Sequence, residues 1–393
     1  MSPPARTTAH LIVGGGLAGA MAGLRLAAAG REVTILERER SAHHKVCGEF
    51  LSREAVDYLH EAGVNPLSLG AKAIRFVRLA SRQKLVQAAL PFTALSLSRC
   101  VLDEALLARA AQAGCNVERG AFVESMKHED GGWLARLRGG DSWFAPNAFL
   151  ANGKHDLRGM ERNPGKHGDL VGFKLHWRLA ADQTEALREC MELYLFPGGY
   201  GGISIVEGDA ANLCLVVRRA ALRKRGGWNE LLAAIQNENP HIARRLRGAS
   251  QMWERPLAVS SIPYGHLAGQ PDGEYAGLGL WQVGDQAACI PSFTGDGMSI
   301  ALHSGALAAQ MAIAGESADR YHRVLQAHLS RSMGLATFFS RTIVSGAGRM
   351  LAPVALSLFP HAMNWIAAST RIPDRALDHT RSLAQPAQRS VFP

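Results

Sequence analysis

Residues 9–40 read AHLIVGGGLAGAMAGLRLAAAGREVTILERER. His10 to Val13 is a short apolar run that stops at glycines, the pattern of a strand buried on both faces of a parallel sheet. Gly14, Gly16 and Gly19 then form GxGxxG, and the small-residue stretch from Leu17 to Ala29 reads as a helix closed by Gly30. Val33 to Leu36 supplies a second strand, which Glu37 ends. Strand, glycine turn, helix, strand and acid, in that order, predict a dinucleotide-binding unit. The first glycine permits a tight turn, the second lets a pyrophosphate approach the backbone, and the third lets helix and sheet pack closely. The phosphates are expected at the helix N-terminus, around Gly16, Leu17 and Ala18, with Glu37 accepting from the ribose hydroxyls. An acid at 37 argues against a 2′-phosphate, although Arg38 stands beside it.

Which dinucleotide is meant follows from residues 279–312, GLWQVGDQAACIPSFTGDGMSIALHSGALAAQMA. Gly279 to Val283 is strand-like and runs into Gly284-Asp285; Pro291, Gly295, Asp296 and Gly297 then precede a helix from about Met298 to Ala314. A nicotinamide enzyme has no use for a second visit to its ligand at this distance, whereas a flavin dinucleotide does. Asp285 is placed to accept from the ribityl chain, and the amides from Gly295 to Met298 face the pyrimidine edge of the ring. The positive end of the helix there favours negative charge on that edge. FAD is therefore the expected cofactor. No second dinucleotide fold is visible, so NAD(P)H, where used, is a transient reductant.

Taken in order along nearly the whole chain, these motifs resemble the superfamily that unites para-hydroxybenzoate-hydroxylase-type monooxygenases with geranylgeranyl reductases. SRCVLDEALLARAAQAGCNVERG (98–120) is similar to that family's Arg-x-x-Leu-Asp helix. The resemblance implies that Arg99 reaches the FAD pyrophosphate and that Val123 lies beside the adenine. FLANGKHDLRG (149–159) departs from the family's Asp-Gly-x-x-Ser, so Lys154, His155 and Asp156 read as an exposed loop as readily as a site. KVCGEFLS (45–52) is similar to the Cys-Gly pair of the reductase branch, which implies that Cys47 lies near the flavin ring, with Lys45 as a local positive charge. LYLFPGGYGG (193–202) is similar to that branch's aromatic channel segment, which makes Tyr194, Phe196, Pro197 and Tyr200 the expected substrate wall. Cys47 and Tyr200 are the candidate catalytic residues.

The remaining chain predicts an α/β fold, α+β overall: a Rossmann-like FAD-binding domain (residues 1–75, 96–165 and 275–330), an inserted antiparallel β-sheet substrate domain (76–95 and 166–274) and a helical C-terminal region with a mobile tail (331–393). In LVGFKLHWRL (170–179), Val171, Phe173, Leu175 and Trp177 alternate with Gly172, Lys174, His176 and Arg178, giving one apolar and one polar face. His176 reads as a structural histidine, and His43-His44, with no third spaced ligand, as loop residues rather than a zinc site; no metal is expected. GGISIVEGDAANLCLVV reads as two strands joined at Gly208-Asp209. The arginine-bearing apolar stretch after Ser330, broken by Pro353 and Pro360 into short helices, is read as a helical lid, a tunnel wall or a peripheral contact with a bilayer, with Gly346-Ala347-Gly348 as a helix junction.

Lys and Arg outnumber Asp and Glu by 43 to 34, a balance that favours anionic partners. The basic residues are scattered, however, and the run from Arg218 to Arg225 reads as a solvated loop, so nucleic acid is excluded as a partner. The partner expected is a hydrophobic small molecule. Six cysteines, none in a CxxC pair, read as reduced thiols. With no apolar leader or spanning segment in the sequence, the expected location is cytoplasmic, or peripheral on the inner face of a membrane. Two chemistries stay open: reduction of a carbon–carbon double bond, and hydroxylation with O₂. A non-enzymatic flavin carrier is a third reading. A flavin-halogenase reading is weaker because no WxWxIP-like segment is present.

Overall fold

In a computed structural model, residues 4–82, 84–162, 168–269, 275, 277–344, 364 and 367–384 are described. Five parallel strands lie in the order Leu280–Gln282, Asn147–Leu150, His10–Val13, Val33–Glu37 and Asn116–Arg119. His10–Val13 is buried at every position, as a central strand covered on both faces must be. The strand ends at Gly14, whose φ of +107° suits only glycine and where an added Cβ would lie 2.5 Å from the Ala151 carbonyl oxygen. Helix Leu17–Ala28 follows, and helix Gly297–Ile313 packs across it. Gly305 makes that crossing close, since an added Cβ would stand 2.3 Å from the Ala18 carbonyl oxygen, and the Gly284 amide donates to Ser304 Oγ at 2.8 Å. The first glycine turn and the late Gly-Asp segment therefore meet at the carboxyl ends of one parallel sheet, where open α/β folds bind their ligands.

Nine strands form a second sheet. It runs Ser250–Gln251, Leu170–Arg178, Ala211–Arg218, Gly199–Ile205, Cys190–Phe196, Lys72–Ser81, Lys84–Ser96 and Phe50–Leu51, with Leu257–Ser260 also paired to Leu170–Arg178. Its pairings are antiparallel except that of Cys190–Phe196 with Lys72–Ser81. The expected turn after Gly199–Ile205 is a short 3-10 segment, Glu207–Asp209. A four-stranded sheet and a two-stranded one complete the β-structure of the described residues.

Three expectations change here. The face of Leu170–Arg178 that carries Lys174 and His176 is not solvated, because every residue but Arg178 is buried. Arg218 to Arg225 is not a loop: Arg219–Arg225 is a helix whose last turn holds Arg223, Lys224 and Arg225, where the helix dipole favours cations. The stretch after Ser330 does not begin with short helices, since Ala318–Val344 runs unbroken through Arg331 and Arg341. Pro353, Pro360, Gly346-Ala347-Gly348, Arg349 and the tail from 385 lie outside the described residues. Beyond them, helix Asp374–Ala384 is fastened to helix Arg53–Glu61 by Arg53–Asp374 and Arg381–Glu61 pairs, each 2.8 Å, and buries Ala376 and Leu377 in the same core as Tyr58 and Leu59. Among the described residues no helix is long and apolar enough to cross a membrane.

Candidate cofactor and substrate cavity

A cavity of about 840 Å³ lies between the parallel sheet and the large antiparallel one. Glu37, Arg38 and Val123 line it together with Gly14, Gly16, Leu17 and Ala18 from the glycine turn. The Glu37 carboxylate is buried and accepts from the amides of Gly15 and Glu39, each at 2.8 Å. These bonds fix both oxygens at the rim of the turn and leave each a lone pair for a ribose hydroxyl. Gly19 does not reach the cavity. An added Cβ there would lie 2.0 Å from the Gly14 carbonyl oxygen, so this glycine is needed for packing behind the turn.

Two cations converge on the start of helix Leu17–Ala28, which has no side-chain cap. Lys45 Nζ and Arg99 Nη2 lie 3.4 and 3.5 Å from the Cβ that Gly16 lacks. Both bind Asp103, Arg99 through two nitrogens at 2.6 and 2.8 Å and Lys45 at 2.8 Å. Burial works to raise the Asp103 pKa, but the two cations outweigh it and hold the group at about 2. Two positive charges against one negative, beside free helix amides, suit a pyrophosphate. Lys45 was expected beside Cys47; its ammonium turns instead to Asp103 and the glycine turn, because that is where its carboxylate partner lies.

Asp285, Gly295, Gly297 and Met298 line the next part of the wall, with Cys47. Lys154 reaches Asp285 at 3.0 Å, and Arg162 donates to the Asp285 backbone oxygen at 2.6 Å and to Asp156 at 2.5 Å. Burial opposes the ionised form of Asp285, yet Lys154 and Arg162 keep its pKa below the usual carboxylate value. Lys154 is thus part of the wall and not of an exposed loop. Asp296 is a correction: its carboxylate is 1% exposed, does not line the cavity and pairs with Arg371 at 2.6 Å, while its glycine neighbours remain in the wall.

The apolar part is built by Val77, Leu79, Leu193, Tyr200 and Val259 from the antiparallel sheet, and by Ile262, Phe293 and Phe339. Tyr200 donates or accepts a hydrogen bond with Ser292 at 3.0 Å, and burial pushes its phenol up to about 12. Tyr194 and Phe196 are not in this wall. Side chains alternate along Cys190–Phe196, so Met191 and Leu193 face the cavity while Tyr194 and Phe196 enter the core on the other side of the sheet, with Leu175 and Ile203. Tyr194 is held there by Glu192, at 2.7 Å. Pro197 does not line the cavity either.

A buried charge cluster behind Cys47 was not foreseen. Glu49 is fully buried with φ +58°, a conformation rare for a non-glycine residue. Its Oε1 accepts from the Lys174 ammonium and from the Arg99 amide at 2.8 Å, and its Oε2 accepts from His176 Nε2 at 3.0 Å. Burial acts to raise the Glu49 pKa, but His176 and Lys174 pull it below the usual value. The Glu49 amide donates to Cys47 Sγ at 3.4 Å within the loop, and Asn212 donates to the Cys47 carbonyl at 3.1 Å, which ties the thiol's loop to the sheet. His44 packs against His176 and Trp253, and burial, then Lys174 and His176, lower its pKa to about 4. The ligand atoms of His44, Glu49 and His176 lie within 4.8 Å of one another, but Lys174 already supplies the cation that Glu49 needs, so a metal there would face a buried ammonium. The acid in KVCGEFLS and the Lys-x-His alternation in LVGFKLHWRL were the available signals; neither stretch alone says that they meet.

The parallel sheet with its glycine turn, the cationic corner at the helix start and the converging Gly-Asp segment are those of an FAD-dependent oxidoreductase. Residues 7–142 match the FAD binding domain family. The chain is 23% identical over 352 residues to a menaquinone reductase of Mycolicibacterium smegmatis, covering 83% of this chain and 82% of that protein. It is 26% identical over 323 residues to digeranylgeranylglycerophospholipid reductase 2 of Methanopyrus kandleri, covering 77% and 76%. In fold it is similar to the myxobacterial chondrochloren halogenase CndH, with a TM-score of 0.74 at 18% identity over 98% of both chains.

Proposed function

We propose that this oxidoreductase is a reductase that saturates a carbon–carbon double bond in a hydrophobic small molecule. The observation that carries this reading is that Cys47 lines one cavity together with Gly295, Gly297 and Met298 and with apolar residues of the antiparallel sheet such as Val77, Leu193 and Val259. The two relatives named as reductases support it. FAD, when bound, supplies the hydride. Glu37, Arg99, Lys45, Asp285 and the amides at 297 and 298 hold the cofactor along the cavity. Val77, Leu193, Val259 and Ile262 bind the substrate chain and keep water from it. Tyr200 and Cys47 touch the substrate beside the ring. Residues 1–75, 96–165 and 275–330 serve the cofactor; 76–95 and 166–274 serve the substrate. NAD(P)H visits as the reductant and leaves.

The test is to reduce the holoprotein without air, add unsaturated apolar candidates, and then admit oxygen-18. A product that has gained two hydrogens and no labelled oxygen supports the reductase. Labelled oxygen in the product would overturn it in favour of hydroxylation, and a cofactor that reoxidises identically with every candidate would favour a carrier.

A further inference from the structure

Arg371, far from both glycine motifs in the sequence, is buried against the loop assigned to the flavin ring. Its Nη1 donates to Asp296 Oδ1 at 2.6 Å, its Nη2 to the Thr294 carbonyl at 3.2 Å, and its Nε to the Ala367 carbonyl at 2.9 Å. The guanidinium also lies over the ring of Phe92 at 4.8 Å, and Ser332 holds the Arg371 carbonyl at 3.1 Å. One planar fork thus spans two points of the turn that precedes helix Gly297–Ile313 while gripping its own segment. That geometry is available to arginine and not to lysine. Asp296 occupies the position before the helix but makes no capping bond, so its carboxylate is committed to Arg371. The Asp296 carboxylate, buried and paired with a guanidinium at 2.6 Å, is a charge-assisted anchor point. It makes sense as the fixed end of a strut. Ala367, Thr370 and Arg371 all line the cavity, so the strut runs along its wall.

We propose that Arg371 is a positioning residue for the cofactor: through Asp296 and the Thr294 carbonyl, the C-terminal segment 367–384 clamps the Thr294–Met298 turn in the shape that receives the flavin. The proposal rests on the assignment of that turn to the flavin ring. Helix Asp374–Ala384, anchored on helix Arg53–Glu61, is the support from which Arg371 reaches. The clamp gives the C-terminal region a role distinct from a lid, a tunnel wall or a bilayer contact: it governs how long the cofactor stays.

The test follows two temperatures in the holoprotein, the one at which flavin fluorescence is released and the one at which helical circular dichroism is lost. Arg371→Lys keeps the charge but cannot span both acceptors, and Asp296→Asn keeps the shape without the charge. In each, flavin release is expected well below unfolding, with the FAD dissociation constant raised about tenfold, equivalent to about 1.4 kcal/mol. Asp285→Ala is measured alongside. If it loses FAD while Arg371→Lys and Asp296→Asn hold it as the unaltered protein does, the clamp is wrong and the flavin assignment stands. If all three retain FAD, the assignment of the turn fails as well. If release and unfolding fall together in both clamp variants, Arg371 supports the fold only and the clamp is overturned.

Discussion

Replacing Glu49 by Gln removes one charge and almost no volume, at the point where four chain segments meet. Lys174 is fully buried, and its ammonium then faces a neutral amide. Breaking a buried ion pair by removing one partner costs about 3–5 kcal/mol, chiefly because the surviving charge is left uncompensated. Against a total stability of about 5–15 kcal/mol that loss is large. Lys174→Met should be costly too, since Glu49 keeps only His176 and the Arg99 amide. The double variant leaves no orphaned charge and should recover at least about 1 kcal/mol relative to the sum of the single changes, as residues in one network do. Urea denaturation followed by tryptophan fluorescence and circular dichroism gives all three numbers. The sign with pH is also fixed. The Glu49 pKa is lowered in the fold, so its contribution is complete above the ordinary carboxylate range and disappears as pH falls through the folded value. A Glu49→Gln protein within about 1 kcal/mol of the original, or strictly additive single changes, would refute the reasoning.

Further outcomes can be checked directly. Asp285→Ala should purify without bound FAD, and tight retention by absorbance would count against the placement of the late Gly-Asp segment. Cys47→Ser should keep FAD and change turnover; identical kinetics would reduce the thiol to packing. Tyr58, His303, His328 and His379 form a hydrogen-bonded chain with links of 2.8, 3.0 and 3.3 Å, and burial lowers His303 to about 3 and His328 to about 4. Unfolded histidines bind protons near pH 6.5, so thermal stability should fall as pH drops from there towards 4. His303→Gln should flatten that slope, and an unchanged slope would contradict this assignment.

The parallel sheet was legible because its signals are local. A glycine with φ +107° and a strand buried at every position leave marks within a few residues. The late segment was legible because Gly284, Asp285 and Gly295 carry their own turn chemistry. The apolar wall of the cavity was harder. Along 193–196 a one-residue choice decides which side chains face the cavity, and the bulky Tyr194 and Phe196 suited either face until their neighbours in the sheet were known. Asp296 sits among cavity glycines in sequence, and only a partner 75 residues away turns its carboxylate elsewhere. The Glu49 cluster is a product of tertiary pairing: Lys174 and His176 lie on a strand more than a hundred residues from the Cys-Gly turn, and alternation alone describes a polar face without saying whether water or a carboxylate meets it.

The most direct test is a crystal structure of the chain with its cofactor bound. One FAD should lie along the cavity, with a ribose hydroxyl on Glu37, the pyrophosphate between Lys45, Arg99 and the start of helix Leu17–Ala28, and the pyrimidine edge of the ring at the amides of Gly297 and Met298. A flavin bound elsewhere, or a protein that takes up none on reconstitution, would contradict the account.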